Sequence, residues 1–436
     1  MKRVAAKLTR ATSSAVRSAG LGPNSHAPCL FCLTPPSPPF RLLHDGTNGP
    51  DANPVAIQMI DYALSHARSQ KSEESYAQGL LVLEQCLSTH LSKGQDAENS
   101  RGLVLLAMST LCSERGNFDE AIEKLQGIEE LRQSSLGVRV AAMESLVGLL
   151  LELGLDDASS VIADKCLKLV EKEEPKTGGG NPVVLSARAK AAKGLVELVH
   201  GNLELADTFL KGCGNNEGSI GSVALSYGEL LHATQNFSLA KEIYKKVIQG
   251  ASENKDFSDL HAFAACNMSS EEVLLAATCA LGQLEAHMGN FGDAEDILTR
   301  ALSKTEGHFG SHHPKVGVVL TCLALMFRHK ARQEQSSSLM IQEGLYRKAI
   351  ELLKAPPLET DDTETKAGRS DVVALARGGY AEALCVQQNR KVQGEKMRSW
   401  AEAAWTNRRL SLAEALEISD PSSKVPVIDA RICRAL

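Results

Sequence analysis

The sequence predicts an all-α solenoid of about eight antiparallel helix pairs, and three observations carry that prediction. A short motif recurs along the chain, apolar residues surround each copy at helical spacing, and the composition favours helices over sheets. Gly116-Asn117-Phe118-Asp119-Glu120-Ala121 returns as Gly201-Asn202-Leu203-Glu204-Leu205-Ala206, Gln235-Asn236-Phe237-Ser238-Leu239-Ala240 and Gly289-Asn290-Phe291-Gly292-Asp293-Ala294. A looser copy is Gly154-Leu155-Asp156-Asp157-Ala158. Aromatic residues make up only 4% of the chain; Ala, Leu, Ser and Glu dominate, and Ala with the straight-chain residues loses little freedom in a helix.

Aligned on the motif's last alanine, the copies share more than the turn. A large apolar residue sits three before it (Phe118, Leu155, Leu203, Phe237, Phe291) and another four after it (Leu125, Ile162, Leu210, Tyr244, Leu298). Seven after it come Ile128, Cys213, Val247 and Ala301, with Lys165 as the exception. Offsets of three, four and seven mark one face of a helix. Three copies also place glycine twelve residues upstream, at Gly194, Gly228 and Gly282. The Gly-Asn step lets the chain reverse, and small residues sit where paired helices approach closely. One pair cannot bury its apolar face alone, so the pairs must stack.

Degenerate pairs flank the array. Upstream, Pro54–Arg68 and Glu74–Leu91 pair with Gly79 in the alanine's place; downstream, Val372–Gln388 pairs with one long helix, Lys391–Glu417. Breaks are expected at Glu174–Asn181, Gly250–Ser270 and Ala355–Ser370. This divides the chain into residues 1–44 as a cleavable leader, 45–420 as the helical array and 421–436 as a C-terminal tail.

This pattern resembles the tetratricopeptide repeat family, whose unit of 34 residues carries small residues at these crossings. The aligned alanines lie 37, 48, 34 and 54 residues apart, so most units carry insertions. Gly292-Asp293-Ala294-Glu295 through Leu320-Thr321-Cys322-Leu323-Ala324 resembles the kinesin-light-chain style of the repeat, although the next unit, on Ala349, departs from it. The resemblance implies a right-handed superhelix whose first helices line a groove for a partner protein. Groove positions so implied hold Arg188, Glu229, His232 and Gln283 among small or apolar residues such as Ala191 and Leu225. The Lys and Asn set with which some members clamp a carboxylate is absent, so the groove suits an extended or helical segment of a partner.

Residues 1–44 read as an address. They contain six basic residues and no acid, and the rest of the chain then carries a net charge of −12. On a helix, Lys2, Arg3, Lys7, Arg10 and Arg17 oppose Val4, Leu8, Ala11 and Ala15. That is the pattern of an import presequence, which points to the mitochondrial matrix, with a chloroplast transit peptide as the competitor.

An acidic body disfavours nucleic acid. No apolar run is long enough to cross a membrane. Eleven scattered cysteines argue against a disulfide framework. Cys29 and Cys32 lack a second ligand pair, and His308, His312 and His313 read as a loop ending at a helix that starts with Pro314. Gly178-Gly179-Gly180 and Gly212–Gly218 follow helices rather than strands and lack the lysine of a phosphate loop. No catalytic motif, cofactor, metal or small-molecule substrate is therefore expected. An organellar RNA-associated repeat protein and a cytosolic adaptor with an uncleaved basic tail are the rival readings.

Overall fold

The computed structural model describes residues 52–89, 94–172, 181–212, 221–253, 264–335, 338–358, 369–417 and 424–436. All of them fall in one compact unit, Asn48–Leu436. The leader and the Cys29-Cys32 pair lie outside the described residues, as do Gly178–Gly180.

Eight helix pairs follow one another: α1 Pro54–Gln70 with α2 Glu73–Thr89, α3 Gln95–Glu114 with α4 Phe118–Glu129, α5 Leu136–Glu152 with α6 Asp156–Lys172, and α7 Pro182–Val199 with α8 Leu203–Leu210. Then come α9 Gly221–Ala233 with α10 Phe237–Glu253, α11 Ser270–His287 with α12 Phe291–Phe309, α13 Pro314–Gln333 with α14 Leu339–Leu352, and α15 Ser370–Cys385 with α16 Lys391–Ala404. A short α17, Leu412–Leu416, a hairpin of β1 Ile428–Asp429 with antiparallel β2 Arg434–Ala435, and two 3-10 turns, Cys266–Met268 and Gln388–Arg390, complete the described elements. Each first helix packs on its partner, on the preceding second helix and on the first helix of the next pair; successive second helices share no comparable packing. The expected all-α stack of eight pairs is what the structure contains.

The recurring motif is a turn with a defined hydrogen-bond pattern. Gly116, Gly154, Gly201 and Gly289 all take φ between +73° and +82°, and Gln235 takes +64° at the equivalent place in the fifth pair. The residue after each donates its N–H to a carbonyl five before it, as in Asn202 to Glu197 and Asn290 to Glu285. This is the left-handed ending that satisfies the last carbonyls of a helix. In two copies the asparagine amide also donates to the glutamate five residues earlier, Asn202 to Glu197 and Asn290 to Glu285, at 2.8 Å each.

Ala121, Ala206, Ala240, Ala294 and Ala349 are fully buried. The upstream glycines have a more particular role than helix crossing alone. A Cβ at Gly194 would meet Leu210 at 2.6 Å, at Gly228 Tyr244 at 2.8 Å and at Gly282 Leu298 at 2.6 Å. Each glycine is thus the socket for the large residue four positions after its own unit's alanine.

Two expectations about the helices need correction. In the looser copy the crossing residue is Ser159, which is fully buried, whereas Ala158 is exposed. Counting from the turn glycine rather than from the nearest alanine moves the offsets onto Ala163 and Cys166, both fully buried, and the Lys165 exception disappears. The second correction concerns Lys391–Glu417, which is not one helix. It stops at Ala404 because local side chains offer its backbone other partners. Asn407 accepts from the N–H groups of Arg409 (2.9 Å) and Leu410 (2.8 Å), and Trp405 donates to the Leu410 carbonyl at 2.6 Å. A capping box of Ser411 and Glu414 then starts α17.

The stack curls until distant pairs meet. Arg68 in the first pair lies 3.7 Å from Glu271 in the sixth, and Lys71 donates to the Gly307 carbonyl of that pair. Glu152, at the end of α5 in the third pair, binds Arg369, at the start of the eighth, at 2.9 Å.

Candidate functional site

From the second pair on, first and second helices differ sharply in burial, and that difference locates the site. In the third pair fourteen of the seventeen residues of α5 are buried, but only Ser159, Ala163 and Cys166 of α6. A second helix buries one stripe and shows the rest to solvent, as an outer helix should. A first helix buried on nearly every side must be covered from within, and two segments of the chain itself cover it.

The first segment runs from Ala265 to Ser269. Cys266 N–H donates to Thr110 Oγ1 (2.9 Å) on α3, and Ser145 Oγ on α5 donates to the Ala265 carbonyl (3.1 Å). The second is the hairpin of residues 424–436, in which Val427, Ile428, Ile432 and Leu436 are buried. The expected tail is therefore part of the packed unit rather than an appendage to it.

Gln283 on α11 holds the hairpin by its backbone. Its Oε1 accepts from Ile428 N–H at 2.8 Å and its Nε2 donates to the Ile428 carbonyl at 2.9 Å, so one carboxamide reads both polar groups of one residue. Arg431, wholly buried in the hairpin turn, reaches Glu229 on α9 at 2.7 Å and Asp429 of the same hairpin at 2.9 Å, and donates to Ser226 Oγ at 3.1 Å. Arg434 reaches Asp371 at 2.6 Å and Asp156 at 2.8 Å, and donates to the Leu151 carbonyl at 3.0 Å. Lys315 on α13 donates to the Arg431 carbonyl at 3.1 Å and pairs with Glu272 at 2.5 Å.

The charges here are strongly coupled to burial. Burial and the neighbouring Asp429 carboxylate push Glu229 well above the usual carboxylate range, against the pull of Arg431. Glu272 is pushed up to about 7 by burial despite Lys315. Glu152 goes the other way: burial opposes its charge, but Lys315 and Arg369 outweigh that and hold it below the ordinary value. Both hairpin guanidiniums are held more firmly charged than usual, because the facing carboxylates outweigh burial.

Of the four residues singled out from the sequence, all are buried, and two touch the hairpin. Glu229 and Gln283 seat Arg431 and Ile428. Arg188 instead bonds to Glu144 on α5 at 2.5 Å, and Glu144 also accepts from Ser222 at 2.7 Å, so the trio ties three successive first helices. His232 lies against His287 (2.8 Å) and Tyr244 (3.3 Å), and burial lowers both imidazole pKa values, that of His287 to about 3. Sequence reasoning missed Asp156, Glu272, Lys315, Asp371, Arg431 and Arg434. A signal existed: Val425-Pro426-Val427-Ile428-Asp429-Ala430-Arg431-Ile432-Cys433-Arg434 is too apolar for a solvated tail.

Of the three histidines read as a loop, His308 lies instead in the last turn of α12, and His312 and His313 lead into α13. His313 is the N-cap of α13, accepting from Lys315 N–H at 3.2 Å, and Pro314 is its first residue. Among the described residues no group of three His, Cys, Asp or Glu side chains could hold a metal, no helix is long and apolar enough to cross a membrane, and the eight described cysteines are free thiols.

No family model matches the sequence, and a search of curated proteins found no match. Among solved structures, the crystal structure of the P58(IPK) TPR domain is similar at 11% identity and a TM-score of 0.21, over 79% of this chain and 97% of that one. So loose a superposition adds nothing to the architecture, which rests on the helix pairs and the packing of their first helices.

Proposed function

We propose that this chain is a protein-binding scaffold of the tetratricopeptide type, gripping an extended segment of a partner along its inner face and carrying out no catalysis. The observation behind this reading is the Gln283 carboxamide, which pairs with the N–H and C=O of a single residue. Groups that read main chain in this way suit a polypeptide occupant. Glu229 and Gln283 are the proposed contact residues, with Arg188 and His232 shaping the helices that present them. The kinesin-light-chain-like stretch, residues 289–332, comprises the outer helix α12 and nearly all of α13, which faces inward, and implies no particular cargo.

The test is cross-linking of the tagged full-length chain in organelle extract, followed by mapping of the linked residues. Partner links concentrated on α9, α11 and α13 support the reading, and links confined to the outer faces of α4, α6 and α10 sink it. An RNA-associated role is the second reading. The net charge of −12 outside residues 1–44 would repel a phosphate backbone; salt-resistant RNA binding by chain lacking residues 1–44 would reverse that preference. We place the protein in the mitochondrial matrix on the leader's charge pattern. A reporter fused to residues 1–50 that stays diffuse in the cytosol would remove the organelle and favour a cytosolic adaptor.

A further inference from the structure

Three features of residues 424–436 are recognised by the inner face: the peptide groups of Ile428 by Gln283, the guanidinium of Arg431 by Glu229, and that of Arg434 by Asp371 and Asp156. We infer that the partner is a polypeptide with two arginines three positions apart and apolar residues between them, and that residues 424–436 occupy its seats in cis until it displaces them. This rests on the scaffold reading above and adds the partner's chemistry to it.

Charge selects the occupant. Glu229 and Asp371 are wholly buried, and a buried carboxylate left without a cation is strongly disfavoured. Once the hairpin leaves, the opened seats present these carboxylates to the inner face, where guanidiniums, whose planar forks match carboxylates better than an ammonium does, are the complementary occupants. Each seat is geometrically specific: Arg434 takes two carboxylates and a carbonyl, and Arg431 takes Glu229 and a serine hydroxyl.

The hairpin is a flawed occupant of its own seats. Asp429 and Glu229, two buried carboxyl groups, share the one Arg431 guanidinium, and burial together with that crowding raises Glu229. A ligand with a neutral amide in place of Asp429 would relieve the crowding. Each helix pair also makes contacts between its own two helices and with its neighbours that do not involve the hairpin. Strands of two residues have little stability of their own, so the hairpin keeps its shape through the seats that hold it.

The test uses the full-length chain and a fluorescent peptide with the sequence of residues 424–436. Against chain carrying Arg431→Ala and Arg434→Ala, the peptide should bind at least tenfold tighter than against the unaltered chain. An Asp429→Asn peptide should bind at least threefold tighter still, and a peptide with both arginines replaced by alanine at least tenfold more weakly. A folded double variant that ignores the peptide, or fails to distinguish it from the alanine peptide, overturns the inference, as does a dimer of unaltered chain that exchanges hairpins. If the double variant does not fold, hydrogen exchange of the unaltered chain decides. The Ile428 and Arg431 amides should exchange at least a hundredfold faster than those of Ala277–Ala280 in α11, and exchange in step with α11 overturns the inference. Inner-face cross-links to a partner combined with failure of the peptide would remove this inference and leave the scaffold standing, whereas absence of those cross-links removes the scaffold itself.

Discussion

Two segments cover the first helices, and they are held by different forces. Ala265–Ser269 is fixed by hydrogen bonds to the neutral hydroxyls of Thr110 and Ser145 and by burial of Cys266 and Met268. Its one bond to a charged group is that of Asn267 to Glu152, at 3.3 Å. The hairpin of residues 424–436 is held by ion pairs at Arg431 and Arg434. Neutral contacts and apolar burial offer a competing ligand no charge to match, so the first segment is a fixture. Buried ion pairs are screened little by salt, but a ligand carrying matching guanidiniums can replace them, so the second segment is addressable.

The largest effect should come from attacking the fixture. A side chain at Gly148 would drive into Asn267 Oδ1 and Met268 Cε. Gly148→Val should therefore cost about 2–3 kcal/mol, as overpacked cores do, seen as a lower urea midpoint. An unchanged midpoint would mean that the segment yields and the contrast is false.

Acid should weaken the molecule by about 2 kcal/mol between pH 6.5 and 5. His232, His287 and His313 have folded pKa values depressed by burial, the last two to about 3. Their contribution is present above the unfolded value near 6.5 and is lost as pH falls towards the folded values. Glu229 and Glu272 are raised and so recover part of that stability over the same range, while His308 and His329, also lowered by burial, add to the loss; a net slope of about one proton is near 1.4 kcal/mol per pH unit. Glu272→Gln removes one opposing group and should steepen the slope by about as much again in pH-dependent denaturation. A flatter profile would contradict the assignment.

Arg434→Ala separates the two segments most directly. If the hairpin stayed in place, Asp371 would be left buried without its cation, at a cost of about 3–5 kcal/mol. Release of the hairpin lets that carboxylate hydrate, and we expect only about 1–2 kcal/mol by chemical denaturation; a loss in the higher range would make the hairpin a fixture too. The smallest effect is a gain. Gln235 holds φ +64° where its counterparts are glycine, so Gln235→Gly should stabilise the chain by about 0.5–1 kcal/mol, and a loss would mean that the Gln235 side chain contributes more than its strained backbone costs.

The outer half of the molecule was legible from the sequence. Second helices bury one stripe, so Ala121, Leu125 and Ile128 announce themselves by spacing alone, and Gly79 was assigned to its crossing correctly. Ser159 was missed because a serine does the work of an alanine there and a real alanine sits beside it. The inner half was less legible for a physical reason. A first helix packed on all sides has little periodicity to read, and what covers it arrives from 120 residues away for Ser145 and 202 for Glu229. Spacing identified Glu229 and Gln283 as inward-facing. It could not say that Ile428 and Arg431 would be waiting for them.

The bridges between the first and sixth pairs and between the third and eighth change how such a chain folds. A stacked array with only neighbour contacts can form one unit at a time, in any order. Here Arg434 seals a carbonyl 283 residues behind it and Arg369 a carboxylate 217 residues behind it, and links across so much chain slow assembly and make it all-or-none. During synthesis the early pairs must wait with their inner surface bare until those arginines emerge. That interval is when the nascent chain is most open to capture by another polypeptide.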